Sequence, residues 1–565
     1  MEDAHQAKPQ MHALKPSSKV LRGAAVLGAA AVLSKLLGTL QKIPLQNVAG
    51  DAAFGLYNAV YPLYILILFA ATAGFPVAVS KFVAERIAQG DYRGAKRIVH
   101  VSSVVLMATG IILFLCLYLG ADRIAAWIGI AQTARAIKSV SFALLVSPVL
   151  AVLRGYFQGC QDMMPTAVSQ VIEQLIRVIT MVSLLLYLTT LAYDEAWIAA
   201  GATFGSVTGA GAGLLVMFIY WGKDKRKQKN ADRGSEDGVN DLSNWQWARR
   251  ITAYAIPVCL GAIVVPLLTL VDTFTMPRLL EAAAGGEAEA MRQFGLYNRG
   301  LPLVQLVVMI ASSMSAVLVP AIAEAKLQGQ AQLIRTRAEM AVRLTWFVGL
   351  GASCGLAFAA VPINVMLYKD AEASWTMAIL AFTALFSTLN AVSASVLQGA
   401  GAIHTPARAL LVAIALKALG NVWLMPRWGI DGAAVSAVVA YAAAAGLNLV
   451  QLARCTGARF TLRRYAISPA LGAGLMGAVL AALQLLARPA LAAGHVPGRL
   501  GDSAIACISV AAGAAVYGLA LLRSGGIGRE ELRLLPELDR KLAPVLAKLL
   551  PAAEKKHAGS NRDAR

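Results

Sequence analysis

The sequence predicts an all-α polytopic membrane protein of about 14 transmembrane helices: two pseudo-symmetric six-helix bundles followed by two C-terminal helices. Composition and an internal repeat carry this reading. Hydrophobic residues make up 58% of the 565-residue chain and charged residues only 15%, with a mean hydropathy of +0.62. A soluble chain of that length needs far more charge on its surface. The repeat is direct: Phe54 to Leu63 reads FGLYNAVYPL and Phe294 to Leu303 reads FGLYNRGLPL, seven of ten positions identical at a spacing of 240 residues. The same spacing carries Gln158-Gly159 onto Gln398-Gly399, and slightly shifted, Trp197-x3-Gly201 falls on Trp428-x3-Gly432. An apolar chain that repeats itself in order reads as one membrane bundle duplicated.

Each apolar run can cross ~30 Å of hydrocarbon as a helix of roughly 20 residues. The runs are too long for barrel strands, so the backbone must satisfy itself helically. A polar tail (1–19) comes first. The N-terminal bundle (20–221) follows, with spans near 20–44, 56–80, 98–119, 137–158, 167–190 and 196–221. The first span lacks a small-residue cleavage site and is expected to be retained. Residues 222–248, rich in charge (KDKRKQKNADRGSEDGVND), read as a solvated linker between bundles. The C-terminal bundle (249–453) has spans near 251–276, 295–321, 339–361, 374–397, 408–425 and 430–453. Two additional helices in 454–523, near 466–487 and 503–523, have no partner in the repeat. The tail, 524–565, alternates leucine with charge (ELRLLPELDRKLAPVLAKLL) and suits either an amphipathic surface helix or a soluble tail.

The even-numbered connections, beginning with 80–99, carry about twice the Lys and Arg of the odd-numbered ones. The positive-inside rule then places both termini in the cytoplasm. The net charge of +20 follows from this bias and from attraction to anionic lipid head groups. With no soluble basic domain, nucleic acid is not an expected partner. The six cysteines are isolated and the six histidines lie in tails or loops, so neither a disulfide framework nor a metal site is expected. No GxxxxGK[ST] motif occurs, which excludes a P-loop of the chain's own. No cofactor and no catalytic residue are expected.

Charges inside spans are costly and normally face a cavity or a partner. Here they are Lys35, Lys42, Arg154, Glu173, Arg177, Asp272, Arg299 and Lys417. Lys35, Arg299 and Lys417 have no acid nearby in sequence, and Arg177 and Lys417 occupy equivalent places in the two repeats. These four read as cavity cations suited to an anion such as a pyrophosphate. Glu173 and Arg177, spaced i,i+4, could equally neutralise each other, and Asp272 could pair with a lysine or bind a coupling cation. Lys42 and Arg154 lie near span ends and are expected to reach the head groups. Gly74, Pro76, Pro257, Pro266 and Pro302 mark candidate hinges, since proline removes a helical hydrogen bond.

LSKLLGTLQKIPLQNVAGDAAFGLYNAVYP, ATAGFPVAVSKFVAE, LRGYFQGCQDMMPTAVSQVIEQLIRV, YNRGLPLVQL and GIDGAAVS resemble the bacterial polysaccharide-biosynthesis and stage V sporulation protein B group. That group belongs to the multidrug/oligosaccharidyl-lipid/polysaccharide exporter superfamily and is related to lipid II flippases. The resemblance implies two six-helix bundles with two added helices, and export of undecaprenyl-pyrophosphate-linked sugars across the cytoplasmic membrane by alternating access. It gives Lys35 of LSKLLG the place of a first-helix cation that is often arginine, keeping the charge without the planar fork. The expected function is therefore a lipid-linked oligosaccharide flippase, not an enzyme, for a peptidoglycan precursor or related intermediate. Its partners would be the lipid-pyrophosphate-linked sugar, membrane lipids and cell-wall synthesis enzymes. The polyprenyl tail would stay in lipid, along a groove made by the last two spans. The alternatives are a multidrug/cation antiporter of the same superfamily, favoured by an acid-lined cavity, and a membrane glycosyltransferase or polymerase, favoured by acids in a large outer loop.

Overall fold

The computed structural model describes residues 18–229, 242–402, 404–460, 467–493 and 498–524. Among these described residues the regular structure is helical throughout. In chain order the helices are α1 (Ser18–Leu40), α2 (Lys42–Thr72), α3 (Phe75–Ala88), α4 (Tyr92–Ile128), α5 (Thr133–Ser141), α6 (Ala143–Gly159), α7 (Met164–Thr190) and α8 (Glu195–Lys229) in the first half. The second half holds α9 (Asn244–Ala284), α10 (Glu287–Asn298), α11 (Leu301–Leu327), α12 (Ala331–Phe358), α13 (Ala360–Tyr368), α14 (Ser374–Gly399) and α15 (His404–Thr456). The chain then adds α16 (Ser468–Ala493) and α17 (Gly498–Arg523).

Eleven helical stretches are long and apolar enough to cross a membrane. Two of them contain a reversal and so hold two passes each. Within α2 the chain turns at Gly50 (φ 78°, ψ 179°), and Lys42 before the turn donates to Asn58 after it. Within α15 it turns at Gly429 (φ 53°, ψ −134°), and Gly420 comes to lie against Ser436. Glycine holds both positive φ values at little steric cost. With these two reversals and the 41-residue α9, the helices make the fourteen passes expected from hydropathy.

Successive passes alternate in direction, so the turns gather at two ends. The far end carries those at Gly50, Gly129, Ala192, Gly285, Lys369 and Gly429; the near end carries those at Gly90, Gln161, Gly329 and Gly401. Several passes are broken midway, between α2 and α3, α5 and α6, α10 and α11, and α12 and α13. Gly74 caps the start of α3 and Pro76 lies in its first turn; Pro302 likewise opens α11. Pro257 and Pro266 instead lie inside an unbroken α9.

Part of the expected linker is helical: α8 continues to Lys229 and α9 starts at Asn244 behind a capping box of Ser243 and Gln246. Residues 230–241, the first seventeen and the tail from 525 onward, including its amphipathic stretch, lie outside the described residues.

The halves share one core. Leu56, Val60 and Tyr64 of α2 pack with Met291, Phe294 and Tyr297 of α10 and Leu380 of α14. The two added helices lean on the second half, where the Tyr517 hydroxyl of α17 donates to the Phe347 carbonyl of α12 at 3.0 Å and Met476 of α16 joins the same cluster.

Candidate functional site

The site begins where the two copies of the repeated motif meet. Gly55 and Gly295 occupy the same position of the motif, and each faces the other copy's backbone. A Cβ on Gly55 would stand 2.1 Å from the Met291 carbonyl oxygen, and one on Gly295 would stand 2.0 Å from that of Asp51. Small residues at such a crossing let helix backbones touch inside a membrane. The asparagine that ends each FGLYN also behaves identically in both copies: Asn58 donates to Phe54 O at 2.8 Å and Asn298 to Phe294 O at 2.7 Å. The duplication is thus a local pseudo-two-fold contact between the halves.

Toward the near end from this crossing, Asn58 and Asn298 both line a cavity of about 280 Å³ between the halves. Its wall includes Lys35 and Gly38 of α1, Lys42 and Tyr61 of α2, Gln174 of α7, Thr269 of α9 and Gln305 of α11. Lys42 Nζ donates to Asn58 Oδ1 at 3.3 Å. Three further wall groups, Ser34 Oγ, Gln41 Oε1 and Gln174 Nε2, are buried without a hydrogen-bond partner. Buried polar atoms are almost always satisfied, so orphans on a cavity wall beside two ammonium groups mark a surface built for a polar occupant.

Of the four expected cavity cations, Lys35 stands on this wall. The others are engaged elsewhere. Arg177 bonds Glu173 at 2.8 Å and the Tyr61 hydroxyl at 3.3 Å, while Arg154 holds the other Glu173 oxygen at 2.8 Å. Lys417 is paired with Asp272 at 2.6 Å, and Asp272 also accepts from Tyr297 and Asn421, both at 3.2 Å. Arg299 lies against Asp51 and Asp370. All three owe their position to acids that desolvated cations need inside an apolar bundle.

Two expectations are corrected. Lys42 does not reach the head groups; it is 8% exposed, because the chain runs on to Gly50 before turning and leaves Lys42 below the far end. Arg154 does not either, since Glu173 and Ser169 hold it between helices.

At the far end Arg299 is 1% exposed. Its Nε and second terminal nitrogen meet the two oxygens of Asp51 at 2.8 and 2.5 Å. Its remaining nitrogen meets Asp370 at 2.7 Å, and the Tyr368 hydroxyl donates to its carbonyl at 3.0 Å. The guanidinium fork matches carboxylates in this way and an ammonium does not. In the Lys369–Ala373 turn outside the spans, burial works against the Asp370 charge. Hydrogen bonds from Arg299 and the Glu372 amide nevertheless hold its carboxyl below the ordinary value.

Asp51, Asp370, Gln41 and Gln174 were missed by sequence reasoning. Asn58 and Asn298 were visible in the repeated motif and could have been read as a facing pair. Asp370 sits in an unremarkable polar turn that carries no such signal.

The chain matches the polysaccharide biosynthesis protein family over residues 20–326. It is 34% identical over 523 residues to the uncharacterized membrane protein YabM of Bacillus subtilis (strain 168), covering 92% of this chain and 95% of that one. It is 29% identical over 543 residues to the lipid II flippase MurJ of the same organism, covering 93% and 99%. Stage V sporulation protein B of that organism is 29% identical over 540 residues, covering 92% and 98%. Among solved structures, lipid II flippase MurJ in an inward closed conformation superposes with a TM-score of 0.63 at 13% identity, covering 88% of this chain and 98% of that one. An inward-facing MATE multidrug transporter of the MOP superfamily gives 0.56 at 14% identity, covering 76% and 99%. The repeat, the fourteen passes and these matches agree: the chain belongs to the polysaccharide biosynthesis protein family, and it is a multi-pass membrane protein with the fold of the MurJ flippase and the MATE transporters.

Proposed function

We propose that the chain is a flippase for an undecaprenyl-pyrophosphate-linked oligosaccharide, a peptidoglycan precursor or related cell-wall or polysaccharide intermediate, working by alternating access in the bacterial cytoplasmic membrane. The observation that carries this reading is the cavity between the halves, with Lys35, Lys42 and the unpartnered atoms Ser34 Oγ, Gln41 Oε1 and Gln174 Nε2 on its wall. Two ammonium groups suit the two phosphates, and the orphaned amides and hydroxyl suit the first sugar. The likeness to a protein named as a lipid II flippase supports the same substrate class. The loop bias in Lys and Arg sets the near end, and both termini, on the cytoplasmic side. The far end then faces outward, toward enzymes that would consume the flipped sugar.

The tail has its own path in this reading. A cavity of about 500 Å³ lies between α11, α12 and the added helices, bordered by Leu306, Val348, Leu356, Val510, Ala514 and Leu521. Its lining is almost wholly apolar, as a polyprenyl chain requires. A cation antiporter would need free acids, and Glu173 and Asp272 are neutralised by Arg154, Arg177 and Lys417.

The test is binding and flipping of a lipid-pyrophosphate sugar by protein in proteoliposomes. A charge-assisted hydrogen bond is worth about 1.5–3 kcal/mol, so Lys42→Met or Lys35→Met should weaken binding roughly ten- to more than hundredfold. Lys35→Arg should bind at least as well as wild type, since it regains the fork. Wild-type binding and flipping by the double Lys35→Met/Lys42→Met variant would overturn the proposal.

A further inference from the structure

Two cavities at the far end of the second half meet at Trp375. One, of about 480 Å³, is polar, with Gln293, Glu372, Thr376, Trp428 and Asp431 on its wall. The other, of about 350 Å³, is apolar and opens on the outer side of α12, α14 and α15 among Phe358, Ile379, Phe382, Val438 and Val439. Phe358 and Val439 are about half exposed, so this groove faces the hydrocarbon. A polar chamber at the membrane edge continuous with an apolar groove below it has the outline of an amphiphile.

The charges select the head group. Arg292, the cation at the polar chamber, is already held by Glu289 at 2.8 Å and Glu372 at 2.6 Å. Thr376 donates to one oxygen of Asp431. The arginine is thus neutralised and the chamber keeps a net negative lining, which repels the phosphate of any phospholipid head group. Hydroxyl groups fit instead, donating to the carboxylates and accepting from the Gln293 amide.

The indoles point the same way. Trp375 is 71% and Trp428 57% exposed, and among the described residues no ring or cation lies over either. In the first half, Trp197, the repeat counterpart of Trp428, is covered by Arg135 at 5.3 Å and Tyr193 at 6.2 Å. Trp428 thus lacks the partners that sit on its repeat counterpart, and with Trp375 it presents an open aromatic face to the polar chamber. An indole body beside polar partners suits the apolar face of a sugar ring.

We infer that this paired cavity binds a lipid with a neutral, phosphate-free sugar head group, its chains in the groove on α14 and α15 and its sugar against Trp428. The site is separate from the cavity between the halves and does not depend on the transported substrate.

The test is native mass spectrometry of the full-length protein titrated with monoglucosyl-diacylglycerol, phosphatidylglycerol and phosphatidylethanolamine. The glucolipid should be retained in preference to both phospholipids. Trp428→Ala should weaken its retention about two- to tenfold, the range expected for one aromatic contact, while Trp428→Phe keeps most of it. Val438→Trp, which fills the groove without touching the chamber, should also lower glucolipid retention. Equal retention of all three lipids by wild type would reduce the tryptophans to interfacial anchors and overturn the inference, as would a preference for either phospholipid or full retention by Trp428→Ala and Val438→Trp alike.

Discussion

Arg299 and Asp51, from opposite halves of the chain, are joined by a two-pronged ion pair with Nε 2.8 Å from Oδ1. The same guanidinium holds Asp370 in the turn between α13 and α14. One buried side chain therefore fastens the Gly50 reversal of the first half to two segments of the second. It sits beside the Gly55–Gly295 crossing, so the far end is closed by backbone contact and by charge together.

Breaking a buried ion pair by removing one partner costs about 3–5 kcal/mol, because the other charge stays uncompensated. Asp51→Asn or Arg299→Ala should consequently loosen the far end, and Arg299→Lys should fall between, since it keeps charge without the fork. Electron-resonance distances between spin labels at Glu195 and Ala283, far-end positions in different halves, should broaden and lengthen in the variants. Unchanged distances would mean that the pair does not fasten the halves. The latch should also be insensitive to mild acid. A carboxyl whose value is lowered on folding, as that of Asp370 is, contributes stability above its unfolded value of about 3.9. That contribution is lost only as pH falls through the lowered value, so wild-type distances should match from about pH 5 to 8.

The glycine crossing makes a sharper steric prediction. The atoms a Cβ would strike at Gly55 and Gly295 are main-chain carbonyls at 2.1 and 2.0 Å, which cannot swing aside. Overpacking of this kind costs about 1–3 kcal/mol. Gly55→Ala and Gly295→Ala should lower the unfolding temperature in detergent by similar amounts, because the two positions are equivalent in the repeat. Gly211→Ala, where nothing lies within 4 Å, should be neutral or slightly stabilising through helix propensity. A tolerated Gly55→Ala would show that α2 and α10 do not hold this contact.

The repeat was legible because both copies kept the residues that make the contact: the glycine and the asparagine serve the same local geometry twice. The Glu173–Arg177 pair was legible for a similar reason, since i,i+4 neighbours share a helix face. Arg299 and Lys417 were harder. The acids of Arg299 lie 248 and 71 residues away in sequence and that of Lys417 lies 145 away, and a local absence of acid looked like an open cavity wall. Hydropathy also set the span ends too tightly. It put Lys42 and Arg154 at the head groups, whereas the helix of Lys42 runs on to Gly50 and buries it, and Arg154 is held inside by Glu173 and Ser169 of the next helix.

The pairing of Lys417 with Asp272 supplies the last prediction. Both residues are 4% exposed, and Lys417 Nζ lies 2.6 Å from Oδ2 and 3.3 Å from the Leu268 carbonyl. The ammonium thus takes the place at the carboxylate that a coupling cation would need. Lys417→Met alone should strand Asp272 and cost about 3–5 kcal/mol, and Asp272→Asn alone should strand the lysine at comparable cost. Removing both charges leaves nothing stranded, so Lys417→Met/Asp272→Asn should regain most of the lost stability, a coupling that a double-mutant cycle reads directly. It should also regain transport in proteoliposomes. A double variant that is stable and abundant yet dead in gradient-driven transport would instead assign the carboxylate to energy coupling. One that stays as unstable as the single variants would show that Asn421 and Tyr297 need the charge on Asp272 as much as Lys417 does.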